Sequence, residues 1–286
     1  MIPSIAILAP GAMGSAIAAR LAEHGAEVLT SLDGRSEATR KRAAAASMVA
    51  ADGTGIANAD IILSIVPPGE ALALAERLAA QIARDTKKPV VVDCNAVNVE
   101  TVRKVEQIVR SSGARFVDAG IIGLPPKPGS NGPVLYVSGD DAKDITVLRD
   151  LGLDVRMVAG PVGAASALKM SYAGINKGLT GLGAAMVLAA TRAGAAEALR
   201  DELARSTPAV QARLATALPD MLPKAYRWVA EMREIAGFLG EDHPAALIYE
   251  GFARLFEHIA SDVEGEGSEA AKLVAFAESC KAKQAV

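Results

Sequence analysis

What constrains this chain most is a rhythm that stops. Through the first half, short apolar runs suited to strands appear at residues 5–9, 27–30, 61–66, 90–93, 115–118, 134–137 and 155–158. Between the early ones lie alanine-rich, charged stretches of helical period at 15–24, 70–84 and 99–110. Strands that read as continuous apolar runs are buried on both faces, and their alternation with helices builds a parallel sheet covered on both sides. After Gly160-Pro161 the strand signals cease. Nearly everything beyond has helical character, with breaks near Gly194, Ser206-Thr207-Pro208, Pro219, Pro223, Gly237–Gly240, His243-Pro244 and Gly265–Gly267. The expected fold is α/β, a doubly wound parallel sheet over residues 1–160, followed by an all-α substrate and dimerisation domain over 161–286. A length of 286 residues suits two domains of about 150 each.

The first strand runs into a glycine turn and then a helix, "IAILAPGAMGSAIAARLAEHG" at residues 5–25. In a Rossmann-type turn the first glycine permits the bend, the second lets backbone approach a pyrophosphate, and the third lets helix pack on strand. Here the three slots hold Ala9, Gly11 and Gly14, with Pro10, Ala12 and Met13 between them. Pro10 fixes φ in the bend and has no N–H to leave unpaired. The N–H groups of the following helix then face the phosphates. By itself the glycine turn is also compatible with packing alone.

About 20 residues further on, the second strand should end in the group that reads the ribose 2′ position. The text there is "TSLDGRSEATRKR". Asp33 has the spacing of an NAD site. Arg35 and Ser36, with Arg40 nearby, suit a 2′-phosphate instead, because arginine grips phosphate bidentately. The plainer alternative makes Arg35 and Arg40 solvated charges at a helix start. The balance leans to NADP.

The charge balance is 30 basic against 33 acidic residues, with no basic run of the kind that binds nucleic acid or anionic lipid. Two distant cysteines, Cys94 and Cys280, make neither a disulfide framework nor a metal motif, which fits a reduced, cytoplasmic setting. The start "MIPSIAILAP" lacks the basic n-region of a signal peptide. The uncharged stretch Gly178–Thr191 is too short and glycine-rich to span a bilayer.

Four stretches, in order, resemble the 6-phosphogluconate dehydrogenase and β-hydroxyacid dehydrogenase superfamily. "APGAMGSAIAARL" (9–21) resembles its nucleotide turn, and "ADIILSIVPP" (59–68) its fourth strand and the loop beneath the nicotinamide ribose. "VVDCNAVNVET" (91–101) with "FVDAGIIGLPPKPG" (116–129) resembles its segments after the fifth and sixth strands. "AGPVGAASALKMSYAGINKG" (159–178) resembles its catalytic-lysine helix. The likeness covers roughly residues 1–195, and "YRWVAEMREIAG" (226–237) marks a branch with its own C-terminal helical domain. The resemblance implies two domains, a NAD(P) cofactor and a homodimer with intertwined helical domains. A composition rich in alanine with 3% aromatics also favours a partner to cover apolar helix faces. The resemblance also implies cofactor contacts from Val66, Pro67 and Pro68. The chain departs from the pattern where a substrate-side Ser-Gly-Gly becomes Ile122-Gly123-Leu124, a Ser-Thr becomes Asn95-Ala96, and an asparagine becomes Ala173. The resemblance thus implies a retained hydride machinery with an altered polar grip on a carboxylate.

Hydride transfer at a carbon bearing oxygen or nitrogen needs a proton donor or acceptor at the heteroatom. Lys169 is the candidate, although most lysines on amphipathic helices are simply solvated. Tyr172, Ala173 and Asn176 share its face at three, four and seven positions on. Asn176 takes the role of the missing asparagine or makes a helix–helix hydrogen bond, and Tyr172 packs or assists proton transfer. Lys177, eight positions on, either faces the site too or, the preferred reading, is solvated. Asn95, at the carboxyl edge of the sheet, is expected to contact the nicotinamide ribose or the substrate. Cys94 reads as a small buried hydrophobe. Arg227, Glu231 and Glu234 share a helix face, either as an ion-pair stripe or with Glu231 on substrate. His243 and His258 have no metal-ligand company, and no metal is expected.

The leading expectation is an NAD(P)-dependent oxidoreductase acting on a small hydroxy or oxo acid-like compound. Imine reduction and decarboxylating oxidation are alternatives within chemistry. A regulator that senses NADP without turnover is the alternative outside it.

Overall fold

A computed structural model describes residues 2–126, 132–240 and 242–282. Lys127, Pro128 and Gly129, the end of the stretch compared above with the family, lie outside the described residues. The chain forms two compact units, Met1–Met170 and Ser171–Val286.

The first unit is built on β1 (Ile5–Leu8), α1 (Ala12–Glu23), β2 (Val28–Thr30), α2 (Glu37–Ala45), β3 (Met48–Ala50), α3 (Gly53–Ala57), β4 (Ile61–Ser64), α4 (Ala71–Ile82), β5 (Val90–Asp93), α5 (Val99–Ser111), β6 (Arg115–Ile122), β7 (Val134–Ser138) and β8 (Asp154–Met157). The strands form one sheet in the order β3-β2-β1-β4-β5-β6-β7-β8. β1, β4, β5 and most of β6 are buried almost throughout, as continuous apolar runs require. One apolar cluster packs α1 and the 140–149 helical turns on one face of the sheet. Another packs α3, α4 and α5 on the other. The chain reverses its direction of travel across the sheet between β1 and β4. In doubly wound sheets that is where a crevice opens beyond the carboxyl ends of the strands.

Three features depart from the sequence reading. β3 is an added strand of three residues, Met48–Ala50, too short and too exposed (Val49 48%) to stand out as a buried run. β7 pairs antiparallel with β6, because the connection from Ile122 to Val134 holds no helix among its described residues to carry the chain back across the sheet. β6 continues to Ile122, well past Asp118.

The second unit contains most of α6 (Ala164–Arg192), then α7 (Ala196–Ser206), α8 (Pro208–Met221), α9 (Ala225–Leu239), α10 (Ala246–Glu264) and α11 (Ser268–Ala282). The division between the units falls inside α6 rather than at Gly160. Pro219 does not break α8, which continues to Met221. Leu218 and Met221 on either side of it are fully buried, and that packing outweighs the backbone bond a proline forgoes. Trp228 meets Phe256 edge-on, 5.1 Å between ring centres, inside this helical core. No helix among the described residues is long and apolar enough to cross a membrane.

Candidate functional site

At the end of β1 the chain turns through Ala9 and Pro10 into α1, whose N-terminal flank is Gly11 with no side-chain cap. A Cβ at Gly14 would collide with the Ala9 carbonyl and lie 3.3 Å from Ile7 Cγ2. This glycine is therefore the close approach of helix to strand. A Cβ at Gly11 would meet nothing within 4 Å, so the backbone there faces open space. Ala12 is exposed, while Met13 folds back onto the core. An uncapped helix start beside an open backbone glycine fits the diphosphate of a dinucleotide. Arg42 braces this turn by donating from Nε to the Pro10 carbonyl at 2.9 Å, a contact that residue spacing alone did not signal.

Beside the turn lies a cavity of about 310 Å³, lined on one side by Ser31, Asp33 and Arg35. Leu8 and Val66 line it from the ends of β1 and the loop after β4. α3 supplies Gly53 and Ile56, and the α4 side supplies Glu70, Leu74, Arg77, Leu78 and Gln81. Leu74 and Leu78 are signalled by the apolar period of α4, but nothing in the sequence marks Arg77 or Gln81 as facing this cleft. Ser36 caps α2, accepting from Thr39 N at 3.3 Å. Arg40 donates to the carbonyls of Leu32 at 2.7 Å and Arg35 at 3.2 Å, which fixes the loop that carries Arg35. An apolar-walled slot with polar groups at the rim, opening off the switch point, fits the adenosine end of NAD(P).

Asn95 is buried, and its side chain works inside the fold. Its Oδ1 accepts from Val66 N at 2.7 Å and its Nδ2 donates to Ser64 Oγ at 2.9 Å. It therefore ties the loop after β4, with exposed Pro67 and half-buried Pro68, to the end of β5. Cys94 is a buried free thiol, and burial pushes its pKa well above the usual value.

The lysine end is equally built. Asp118, fully buried on β6, accepts from the backbone N–H groups of Gly163, Ala165 and Ser166 at 2.9, 3.0 and 3.1 Å. It also accepts from the hydroxyls of Ser138 and Ser166 at 2.8 and 2.6 Å. A carboxylate at this helix start satisfies its unpaired donors and its dipole together. Two residues along β6, a Cβ at Gly120 would lie 2.9 Å from Ala165 O and 3.0 Å from Lys169 Cβ. The glycine thus seats α6 directly on the strand. Lys169 Nζ then donates to the Ile121 carbonyl at 2.6 Å. Ile122 is half-buried next to it, Gly123 turns the chain at φ +130°, and Leu124 is 72% exposed. Asp93, the cross-strand neighbour of Asp118, is buried with its Oδ2 unpartnered. Burial, reinforced by the Asp118 charge, pushes its pKa up to about 7.

In the second unit, Tyr172 is exposed on α6. Asn176 donates from Nδ2 to the Tyr172 carbonyl at 2.8 Å and accepts from Arg213 Nη2 at 2.6 Å, a helix–helix hydrogen bond to α8. Lys177 is not solvated. It is largely buried, ion-paired with Glu231 on α9, and lies 5.0 Å from the Trp228 ring centre. Burial lowers the pKa of its amine, and Glu231 opposes that shift. Glu231 is thus spent on Lys177. Arg227 lies over the Tyr226 ring at 5.9 Å. No cluster able to hold a metal is present among the described residues.

Comparison with known proteins adds family to geometry. Residues 190–259 match a domain of unknown function, DUF1932. An uncharacterized 28.5 kDa protein of Methanothermus fervidus is 31% identical over 146 residues, 50% of this chain and 54% of that protein, so the match spans about half of each. Among solved structures, a conserved protein of unknown function, MTH1747, described as structurally similar to 3-hydroxyacid dehydrogenases, is 26% identical. Its TM-score is 0.73, over 94% of this chain and 99% of that one. Mycobacterium tuberculosis 3-hydroxyisobutyrate dehydrogenase with L-serine (18% identity, TM-score 0.68, 98% and 99% covered) shares the fold. So does an imine reductase from Myxococcus stipitatus with NADP+ (19% identity, TM-score 0.55, 96% and 99% covered). Residues 4–151 match the NAD binding domain of 6-phosphogluconate dehydrogenase, and the chain belongs to that family.

Proposed function

We propose that this protein is an NAD(P)-dependent oxidoreductase that moves hydride between the nicotinamide and a small hydroxy or oxo acid-like substrate, with Lys169 as general acid and base. One observation carries the proposal. Lys169 Nζ is held 2.6 Å from the Ile121 carbonyl, near the carboxyl end of β6. β6 runs parallel with β5, β4 and β1, so this is the sheet edge that bears the glycine turn. The nicotinamide, when bound, supplies or accepts hydride. The chain's own residues do the rest. Gly11 and the start of α1 hold the diphosphate, the Asp33–Arg35 cavity takes the adenosine, and NADP is the favoured form. Lys169, oriented by Ile121 and by the Asp118 anchor of its helix, gives or takes the substrate proton. Small-molecule chemistry in a reduced, cytoplasmic setting, as a homodimer, completes the reading. Neither nucleic acid nor membrane is involved.

The half-buried Ile122 and exposed Leu124 present apolar groups where a carboxylate grip would need polar ones, and this favours imine reduction as the second reading. A substrate screen followed at the NADPH absorbance band, in both directions, over hydroxy acids, aldehydes, ketones and cyclic imines separates the two. Lys169→Ala is expected to lower kcat by about 10²- to 10⁴-fold, the usual worth of general acid–base catalysis, with cofactor affinity nearly unchanged. Turnover unaffected by Lys169→Ala would remove the lysine from the mechanism. Cofactor binding with no turnover of any substrate would leave a sensor.

A further inference from the structure

The cofactor cavity has two arginines facing it from opposite walls, and only one of them lies where a ribose reader is looked for. Arg35 comes from the loop after β2, and Arg77 from α4 across the cleft. The neighbouring arginines are committed elsewhere, Arg40 to the Leu32 and Arg35 carbonyls and Arg42 to Pro10 and Thr39. Among the described residues, neither the Arg35 nor the Arg77 guanidinium has a hydrogen-bond or ion-pair partner. We infer that Arg77 is the second half of a phosphate clamp, closing with Arg35 on the ribose 2′-phosphate of NADP(H), and that it sets the preference for the phosphorylated coenzyme. The inference rests on reading this cavity as the adenosine end of the cofactor site.

The placement on α4 follows from helical spacing. Leu74, Arg77, Leu78 and Gln81 fall on one face of the helix. Leu74 and Leu78 are buried, so Arg77 and Gln81 flank them at the open rim. An adenine held against Leu8, Ile56, Leu74 and Leu78 would have its ribose toward that rim, where Arg35 and Arg77 line the cavity.

Charge then decides which ribose is preferred. An unmodified ribose offers hydroxyls and asks for an acceptor, which the carboxylates of Asp33 and Glu70 on the cavity lining supply. A 2′-phosphate adds about −1.5 to −2 charge and three acceptor oxygens. Two guanidinium groups supply matching charge and donors, while Asp33 remains for the adjacent 3′-hydroxyl. Arg35 and Arg77 share the lining with Asp33 and Glu70, so a 2′-phosphate engages the two guanidinium groups while an NAD-type ribose engages only the carboxylates.

Isothermal titration calorimetry on the full chain tests this without any substrate, using NADP+, NAD+, adenosine 2′,5′-bisphosphate and adenosine 5′-monophosphate. Arg77→Ala is expected to weaken NADP+ and the bisphosphate by about 10- to 100-fold, the scale of one to two charge-assisted hydrogen bonds. NAD+ and the monophosphate should stay within about two-fold, and Arg77→Lys should restore part of the loss. Because Arg77 is exposed, an unchanged melting temperature is expected to show that the fold is kept. Equal weakening of NAD+ and NADP+, or no change in either, overturns the clamp while leaving the cofactor site standing. Wild-type protein that binds NAD+ but not NADP+ does the same. Wild-type protein that binds neither dinucleotide brings down the cofactor reading, and the clamp with it.

Discussion

Asp93 and Asp118 face each other across neighbouring strands, yet they do opposite work. Asp118 takes five donations and anchors the helix that carries Lys169. Asp93 takes one, from Asn95 N at 2.8 Å, and keeps an orphaned oxygen in an apolar setting. Its pKa of about 7 makes a stability statement. The folded state binds this proton more tightly than the unfolded chain, whose aspartates titrate near 3.9. Stability attributable to Asp93 is therefore greatest below about pH 4 and declines as pH rises to about 7, beyond which the penalty is constant. Asp93→Asn removes the titration. Urea unfolding at pH 5 and pH 8 should show the variant gaining on wild type at the higher pH, and a difference independent of pH would refute the assignment. Residues of this kind are poorly legible in sequence. The glycine turn announced itself through spacing, and Lys169 through the resemblance of residues 159–178 to the family's catalytic-lysine helix. Asp118 looked like one more strand residue, and Arg42 like a surface charge, because their partners lie far away in the chain.

At the scale of elements, what could be read was whatever burial writes as an uninterrupted apolar run. β1, β4 and β5 were plain for that reason, and the Rossmann-type sheet with a helical second half is what the chain forms. β3 was not, being short and half-exposed, and the antiparallel return into β7 follows a Pro- and Gly-rich stretch, 123–133, whose composition already disfavours a crossover helix. The contact of α6 with β6 was equally hidden, since it depends on the absence of one side chain at Gly120. Gly120→Ala must push α6 off the strand or force the backbone to move. The expected cost is about 1–3 kcal/mol in chemical denaturation, as for overpacking in a filled core. Turnover should fall further than stability explains, because Lys169 moves with the helix. A variant as stable and active as wild type would show that α6 is not seated where Gly120 puts it.

For the molecule as a whole, five exposed apolar groups of the second unit fall in line. Tyr172, Ile175, Leu179, Leu182 and Met186 follow one another along α6 at steps of three, four, three and four. That is the seam of a coiled coil. Leu179, Leu182 and Met186 also border a hollow of about 230 Å³ shared with Leu199, Leu203 and Val210. A continuous apolar stripe of this kind marks an interaction surface, and a second copy of the chain is the proposed occupant. Light scattering at micromolar concentration is expected to give a dimer for wild type and a monomer for the Leu182→Glu, Met186→Glu double variant. A monomeric wild type would dispose of the homodimer. The composition favours a partner for apolar helix faces, and the stripe proposed to meet it is legible only once α6 is known to run unbroken from Ala164 to Arg192.

The short stretch from Arg35 to Arg42 holds the proposed ribose reader, the brace of its loop and the brace of the glycine turn. Coenzyme engineering that transplants this stretch wholesale would therefore loosen the diphosphate grip along with the selectivity it set out to change. A graft that spares Arg40 and Arg42 would uncouple the two, so a redesigned preference need not come with weaker overall affinity.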